Sequence, residues 1–209
     1  MNPISNTTFI VSAPSGAGKT SLVTRLVAEL AGIVVAVSHT TRPRRQGDVD
    51  GESYHFTDAD TFRRMIADDA FLEHASVFDN YYGTSRGEVV RCMAAGNDVI
   101  LEIDWQGAEQ VRQRDKSVVS VFILPPSRQV LLQRLRGRGT DSAEVVARRT
   151  REAVDEMQHH AAADYLLIND DFEQTLVEFK AIVIAERQRH ALQSRRHASL
   201  IESLLTESE

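Results

Sequence analysis

Residues 13–21 read Ala13-Pro14-Ser15-Gly16-Ala17-Gly18-Lys19-Thr20-Ser21, directly after the apolar run Thr8-Phe9-Ile10-Val11. The residues that follow, Leu22, Val23, Leu26, Val27 and Leu30, have helical spacing. A strand, a glycine-rich turn and a helix in that order make a phosphate-binding loop. Its backbone N–H groups form a concave anion site, and the helix adds its positive N-terminal end. Lys19 would reach the terminal phosphates of a nucleotide, and the Thr20 hydroxyl would bind Mg2+. Ala13 stands where G-x-x-x-x-G-K-[ST] usually has its first glycine, a small change if that residue keeps a negative φ.

A second group with affinity for anions lies at Thr40–Gly47, where Arg42, Arg44 and Arg45 fall within four residues beside Pro43. The guanidinium fork matches phosphate oxygens. Alone, such a cluster reads as a solvated loop. Beside a first phosphate site it suggests a second phosphorylated molecule, as phosphoryl transfer between nucleotides requires.

Apolar runs at Phe9–Ser12, Val34–Ser38, Val99–Asp104, Val118–Leu124 and Tyr165–Ile168 predict strands, and helical patterns lie between them. Thr84 or Ser85 can cap a helix through Val89, Val90 and Met93 that stops at Gly96. Ser127 can cap Arg128–Arg136, and Asp141 and Glu144 have capping-box spacing. This alternation predicts an α/β fold: a mostly parallel sheet flanked by helices, with ligands at the carboxyl ends of its strands. Asp104, ending one apolar strand, is then placed near the nucleotide. Residues 39–83, polar and rich in Arg, Asp and Tyr, read as an inserted subdomain, and the arginine-dense residues 136–152 read as a lid. The core is left with 7–38, 84–135 and 153–209, in a single domain. The tail from Phe172 to Leu205 reads as one or two amphipathic helices, which leaves a homo-oligomer open.

A net charge of −6 argues against a protein that coats nucleic acid. The lone Cys92 fits a reducing compartment. No apolar stretch reaches the roughly 20 residues that span a bilayer, and the first residues lack a basic signal region. A cytoplasmic location is expected. His159 and His160 have no metal-ligand spacing, and Trp105 is read as packing.

The chain resembles guanylate kinases. The likeness rests on Ser12–Ser21, Val37–Gly47, Gly51-x-x-Tyr54-His55-Phe56, Phe71–Ala75, Asn80–Ser85, Leu101–Gly107, Arg134–Thr140 and Ile168–Asp170, which follow the family's order. The resemblance implies transfer of the ATP γ-phosphoryl to GMP, with Mg2+ as cofactor. It implies that Arg42, Arg45, Tyr54 and Tyr82 grip the GMP phosphate, with Ser38 lining that site. It assigns the base to Glu73 and Thr84, and places Glu102 and Asp104 near GMP, Asp104 reaching Mg2+ through water. A carboxylate accepts from guanine N1–H and N2–H2 but would face a lone pair on adenine. On the ATP side it implies Ala13 to Ser21, Arg134, Arg138 and Asn169. Lys19, Arg42, Arg138 and Arg149 would act on the transferring phosphoryl, with the lid register open between Arg148 and Arg149. Two other readings stay open: a related kinase of a phosphorylated sugar, which needs no guanine reader, and a non-catalytic interaction module, which typically loses the loop lysine or the GMP arginines. A GTP-hydrolysing switch is disfavoured by the lack of an Asn-Lys-x-Asp motif.

Overall fold

The computed structural model describes residues 6–77, 79–136 and 143–206. Five strands form a parallel sheet in the order β2-β7-β1-β8-β9: β2 Ile33–Val35, β7 Asp98–Glu102, β1 Thr8–Ser12, β8 Val119–Leu124 and β9 Tyr165–Ile168. β1 is buried throughout and alternates its side chains between two cores. Phe9 and Val11 join Leu22 and Leu26 of α1 (Lys19–Glu29) and Phe179 and Val183 of α7 (Phe172–Arg187). Ile10 joins Val89 and Cys92 of α3 (Arg86–Ala94) and Ala108 and Val111 of α4 (Trp105–Arg114). Both faces are thus covered, as near-continuous apolar strands demand.

A second, four-stranded sheet has the order β4-β3-β6-β5: β4 His55–Phe56, β3 His39–Thr40, β6 Asn80–Ser85 and β5 Phe71–Val77. It carries α2 (Ala59–Ala67), capped by the Asp58 carboxylate accepting from the Thr61 N–H. Its Phe62 stacks between Phe71 and Tyr81.

The strand expected at Val34–Ser38 is divided. Ile33–Val35 pairs with β7, and the chain then leaves to pair at His39–Thr40 in the second sheet. The sequence does not show the break, because an apolar run carries no mark of which sheet its residues join. Ser85 caps α3 and Ser127 caps α5 (Arg128–Arg136). The proposed Asp141 cap and residues 137–142 lie outside the described residues, and α6 runs Ala143–Met157. A 3-10 turn, Gln158–Ala162, leads to β9. The tail is three helices rather than one or two: α7, α8 (His190–Arg196) and α9 (Ala198–Leu205). Gln193 donates its side-chain amide to the Arg187 carbonyl at the α7–α8 turn, an alternative to continued helix that periodicity does not reveal. Among the described residues no helix is long and apolar enough to cross a membrane.

Candidate active site

β1 is the central strand of the parallel sheet, with β7 on one side and β8 on the other, and ligands of such sheets bind outside the carboxyl ends of the strands. The turn after it, Ala13–Gly18, returns on itself through an Ala17 N–H to Pro14 carbonyl bond of 3.0 Å. Gly16 and Gly18 have φ of 90° and 95°, the left-handed region that glycine enters without strain. At Gly18 a Cβ would also lie 2.4 Å from Asn169 Nδ2. That amide donates to the Ala17 carbonyl at 2.6 Å. Arg134 spans the same region, donating to the Ala17 and Asn169 carbonyls at 3.3 and 3.1 Å. Asn169 and Arg134 therefore brace the loop from the end of β9 and from α5.

A cavity of about 340 Å3 runs from this loop to the second sheet. Ala13 to Gly16 and Gly18 to Ser21 line one end, and Tyr54, Glu73, Tyr82 and Gly83 line the other. Ser38, Glu102, Asp104 and Glu156 lie on the wall as well. Lys19 Nζ donates to the Ile103 carbonyl at 3.3 Å, and the Thr20 hydroxyl donates to the Glu102 carboxylate. Glu102 thus belongs to the phosphate-loop end as much as to the acceptor end. Asp104 caps α4, one carboxylate oxygen accepting from the Gly107 N–H at 2.9 Å.

Glu73 is only 3% exposed and accepts the Thr84 N–H at 2.7 Å. Burial pushes its carboxyl up to about 7, against the Thr84 hydrogen bonds, and the nearby Asp104 charge adds to the rise. Gly107 makes room for it, since a Cβ there would lie 2.5 Å from Glu73 Oε2. The Thr84 hydroxyl is fully buried, shares a 3.0 Å hydrogen bond with Ser38 and does not form cavity wall. Arg42 is half-buried over the Tyr54 ring and pairs with Asp48 at 2.8 Å. Tyr54 and Tyr82 meet edge to face, their centroids 5.9 Å apart. Arg45 is exposed, and neither arginine lines the cavity. Arg138 and the side chain of Arg149 lie outside the described residues. Trp105, read as packing, stacks its ring flat on His159 with the centroids 3.8 Å apart.

The sequence reading missed Glu156, on α6, which accepts the Ser15 N–H of the phosphate loop at 3.0 Å. Burial raises its carboxyl and the Lys19 charge opposes the rise. A single carboxylate in an amphipathic helix gives no sequence signal of this contact. Gln110 was missed too. Its amide accepts from the His74 N–H at 3.1 Å and donates to the His74 carbonyl at 2.7 Å, tying α4 to β5.

A family model described as guanylate kinase matches residues 5–186. The chain belongs to the guanylate kinase family. A guanylate kinase from Chromohalobacter salexigens is 55% identical, covering 99% of this chain and 96% of its own. One from Escherichia coli K12 is 54% identical over 96% of this chain and 98% of its own. The crystal structure of guanylate kinase from Anaplasma phagocytophilum superimposes with a TM-score of 0.73 at 31% identity, covering 94% of this chain and 96% of that one. The SH3-kinase fragment of tight junction protein 3, 13% identical with a TM-score of 0.52 over 88% of this chain and 58% of that one, shares the fold alone. As a guanylate kinase, the chain is an ATP:GMP phosphotransferase.

Proposed function

We propose that the cavity performs this transfer with ATP phosphates on the Ala13–Ser21 loop and GMP between Glu73 and the Tyr54–Tyr82 pair. One observation carries the reading: a single cavity joins the glycine-rich loop to a buried carboxylate on the second sheet. Glu73, as carboxylate, would accept from guanine N1–H and N2–H2. Tyr54 and Tyr82 would donate to the GMP phosphate, and Arg42 would exchange Asp48 for that phosphate. The wall offers a hydroxyl, Thr20, and the carboxylates Glu102 and Asp104, hard oxygen donors suited to Mg2+ alongside substrate phosphates. Mg2+ held there would neutralise charge on the ATP phosphates.

An oxygen of the GMP phosphate is the nucleophile. It is already ionised at neutral pH, so no side chain need remove a proton. Its bond to the γ-phosphorus forms as the bond to the β–γ bridging oxygen breaks, and ADP leaves. The protein's share is alignment and positive charge. Lys19 would release the Ile103 carbonyl to follow the γ-phosphoryl. Arg138 and Arg149 would close over the ATP phosphates from the lid. The buried lone Cys92 fits a reducing, cytoplasmic setting.

ADP release from Mg-ATP, with GMP, AMP, CMP, UMP and a phosphorylated pentose as separate acceptors, tests the reading. Turnover with GMP alone is expected, and Lys19→Ala should lower kcat by about 10²–10³, the scale of losing one donor to transition-state charge. Turnover with the pentose would remove the guanine-reading role of Glu73. Wild-type turnover by Lys19→Ala would remove the loop assignment.

A further inference from the structure

The phosphate loop is not an empty cradle. Glu156 enters it from α6 and its Oε2 takes the Ser15 N–H at 3.0 Å. The contact joins residues far apart in the chain, and Glu156 is half-buried in the wall of the same cavity. A carboxylate accepting a loop N–H beside Lys19 reproduces in part what a phosphate oxygen does there. One N–H cannot serve both anions at full strength. A carboxylate left against a polyphosphate would be repelled by it, at a separation too short for salt to screen.

We propose that Glu156 is a built-in competitor of the nucleotide phosphates: it occupies the loop when no nucleotide is bound and is expelled by the polyphosphate of ATP. Glu156 lies in the last turn of α6, away from the second sheet's end of the cavity, so its exchange for phosphate acts on the loop alone. The inference rests on the reading that ATP phosphates bind the Ala13–Ser21 loop.

The energetic signature is a lowered apparent affinity, because only the fraction of molecules with an open loop binds directly. If the carboxylate holds the loop in about 80–90% of molecules, removing it tightens binding about five- to tenfold. Isothermal titration of Mg-ATP, of inorganic tripolyphosphate and of GMP into wild type, Glu156→Ala and Glu156→Gln measures this. Glu156→Ala should lower Kd about five- to tenfold for both polyphosphates and leave the GMP Kd unchanged. Glu156→Gln, which keeps the shape and a neutral acceptor, should give a smaller gain and serves alone if the alanine variant does not fold. Unchanged or weaker polyphosphate binding in the folded variants would overturn the proposal. Absence of Mg-ATP binding by wild type would instead overturn the loop assignment beneath it.

Discussion

At the scale of single residues, Glu73 is the buried carboxylate proposed to read the acceptor's base. The folded protein holds its proton up to about 7, against 4.5 for an ordinary glutamate. Between those values the folded state binds more protons than the unfolded chain. Stability contributed at this residue therefore falls as pH rises through that window and is lost above it. The full loss is about 3 kcal/mol. Glu73→Gln keeps an acceptor for the Thr84 N–H and removes the titration. Denaturant unfolding of the variant should give a flatter pH profile than wild type and a higher stability at pH 8. Parallel profiles would mean that Glu73 is not the group responsible. With Glu73 reading the base as proposed, the same titration governs guanine binding, which needs the carboxylate. Guanosine carries no phosphate to titrate in this range, so it isolates the effect. As a competitive inhibitor against GMP it should bind about tenfold more weakly at pH 6 than at pH 8. Gly107 leaves the space Glu73 occupies, and in the sequence it stands only as one member of the Leu101–Gly107 motif. Its need to be glycine appears once α4 is seen against β5, where a Cβ would strike the carboxylate.

At the scale of elements, the phosphate loop depends on parts the sequence places far from it. β9 delivers Asn169 to the loop, where its amide is buried against the Ala17 carbonyl at 2.6 Å. Gly18 leaves the space it fills. Asn169→Ala should cost about 1–3 kcal/mol through the acceptor left less well paired. Thermal unfolding would register this as about 2–4 °C per kcal/mol for a chain of this size. Mg-ATP binding should weaken with it, since the loop loses a brace. A variant with unchanged Tm and unchanged Kd would show that Arg134 alone holds the loop. The sequence reading assigned Asn169 and Arg134 to the nucleotide; the structure has both bonded to the loop's own backbone. Motif position located them, but the direction of a side chain depends on the tertiary crossing of β9 and α5 over the loop. The core strands were legible for the opposite reason. A doubly covered parallel sheet requires continuous apolar runs, and Tyr165–Ile168 falls at its predicted bounds. Where burial stops dictating residue type, at the Val35–His39 crossover and in the tail helices, the pattern no longer marks element ends.

At the scale of the molecule, the second sheet and the parallel sheet are joined along α4. Its N-terminal cap, Asp104, stands on the wall of the cavity. Two turns along, Gln110 grips the backbone of His74, the residue after Glu73, with both halves of its amide. Arg114 adds donors to the Phe71 and Leu72 carbonyls at 2.8 and 3.1 Å. One helix thus fixes the distance between β5, which carries the proposed base reader Glu73, and the strand ends beside the glycine-rich loop. In-line transfer tolerates little error in that distance. Gln110→Ala leaves β5 without its paired donor and acceptor while touching neither substrate site. The loss of those two bonds, about 1–3 kcal/mol, should appear as looser placement of Glu73. Initial rates with each substrate varied in turn should show the GMP KM raised about tenfold. The dissociation constant of Mg-ATP should stay unchanged, because the glycine-rich loop keeps its own contacts to Asn169 and Arg134. Gln110→Glu retains an acceptor for the His74 N–H but sets a carboxylate against the His74 carbonyl, so it should not restore the wild-type KM. Equal shifts in both substrates would point to general loss of structure, and no shift in either would mean that the sheets are registered without this clasp.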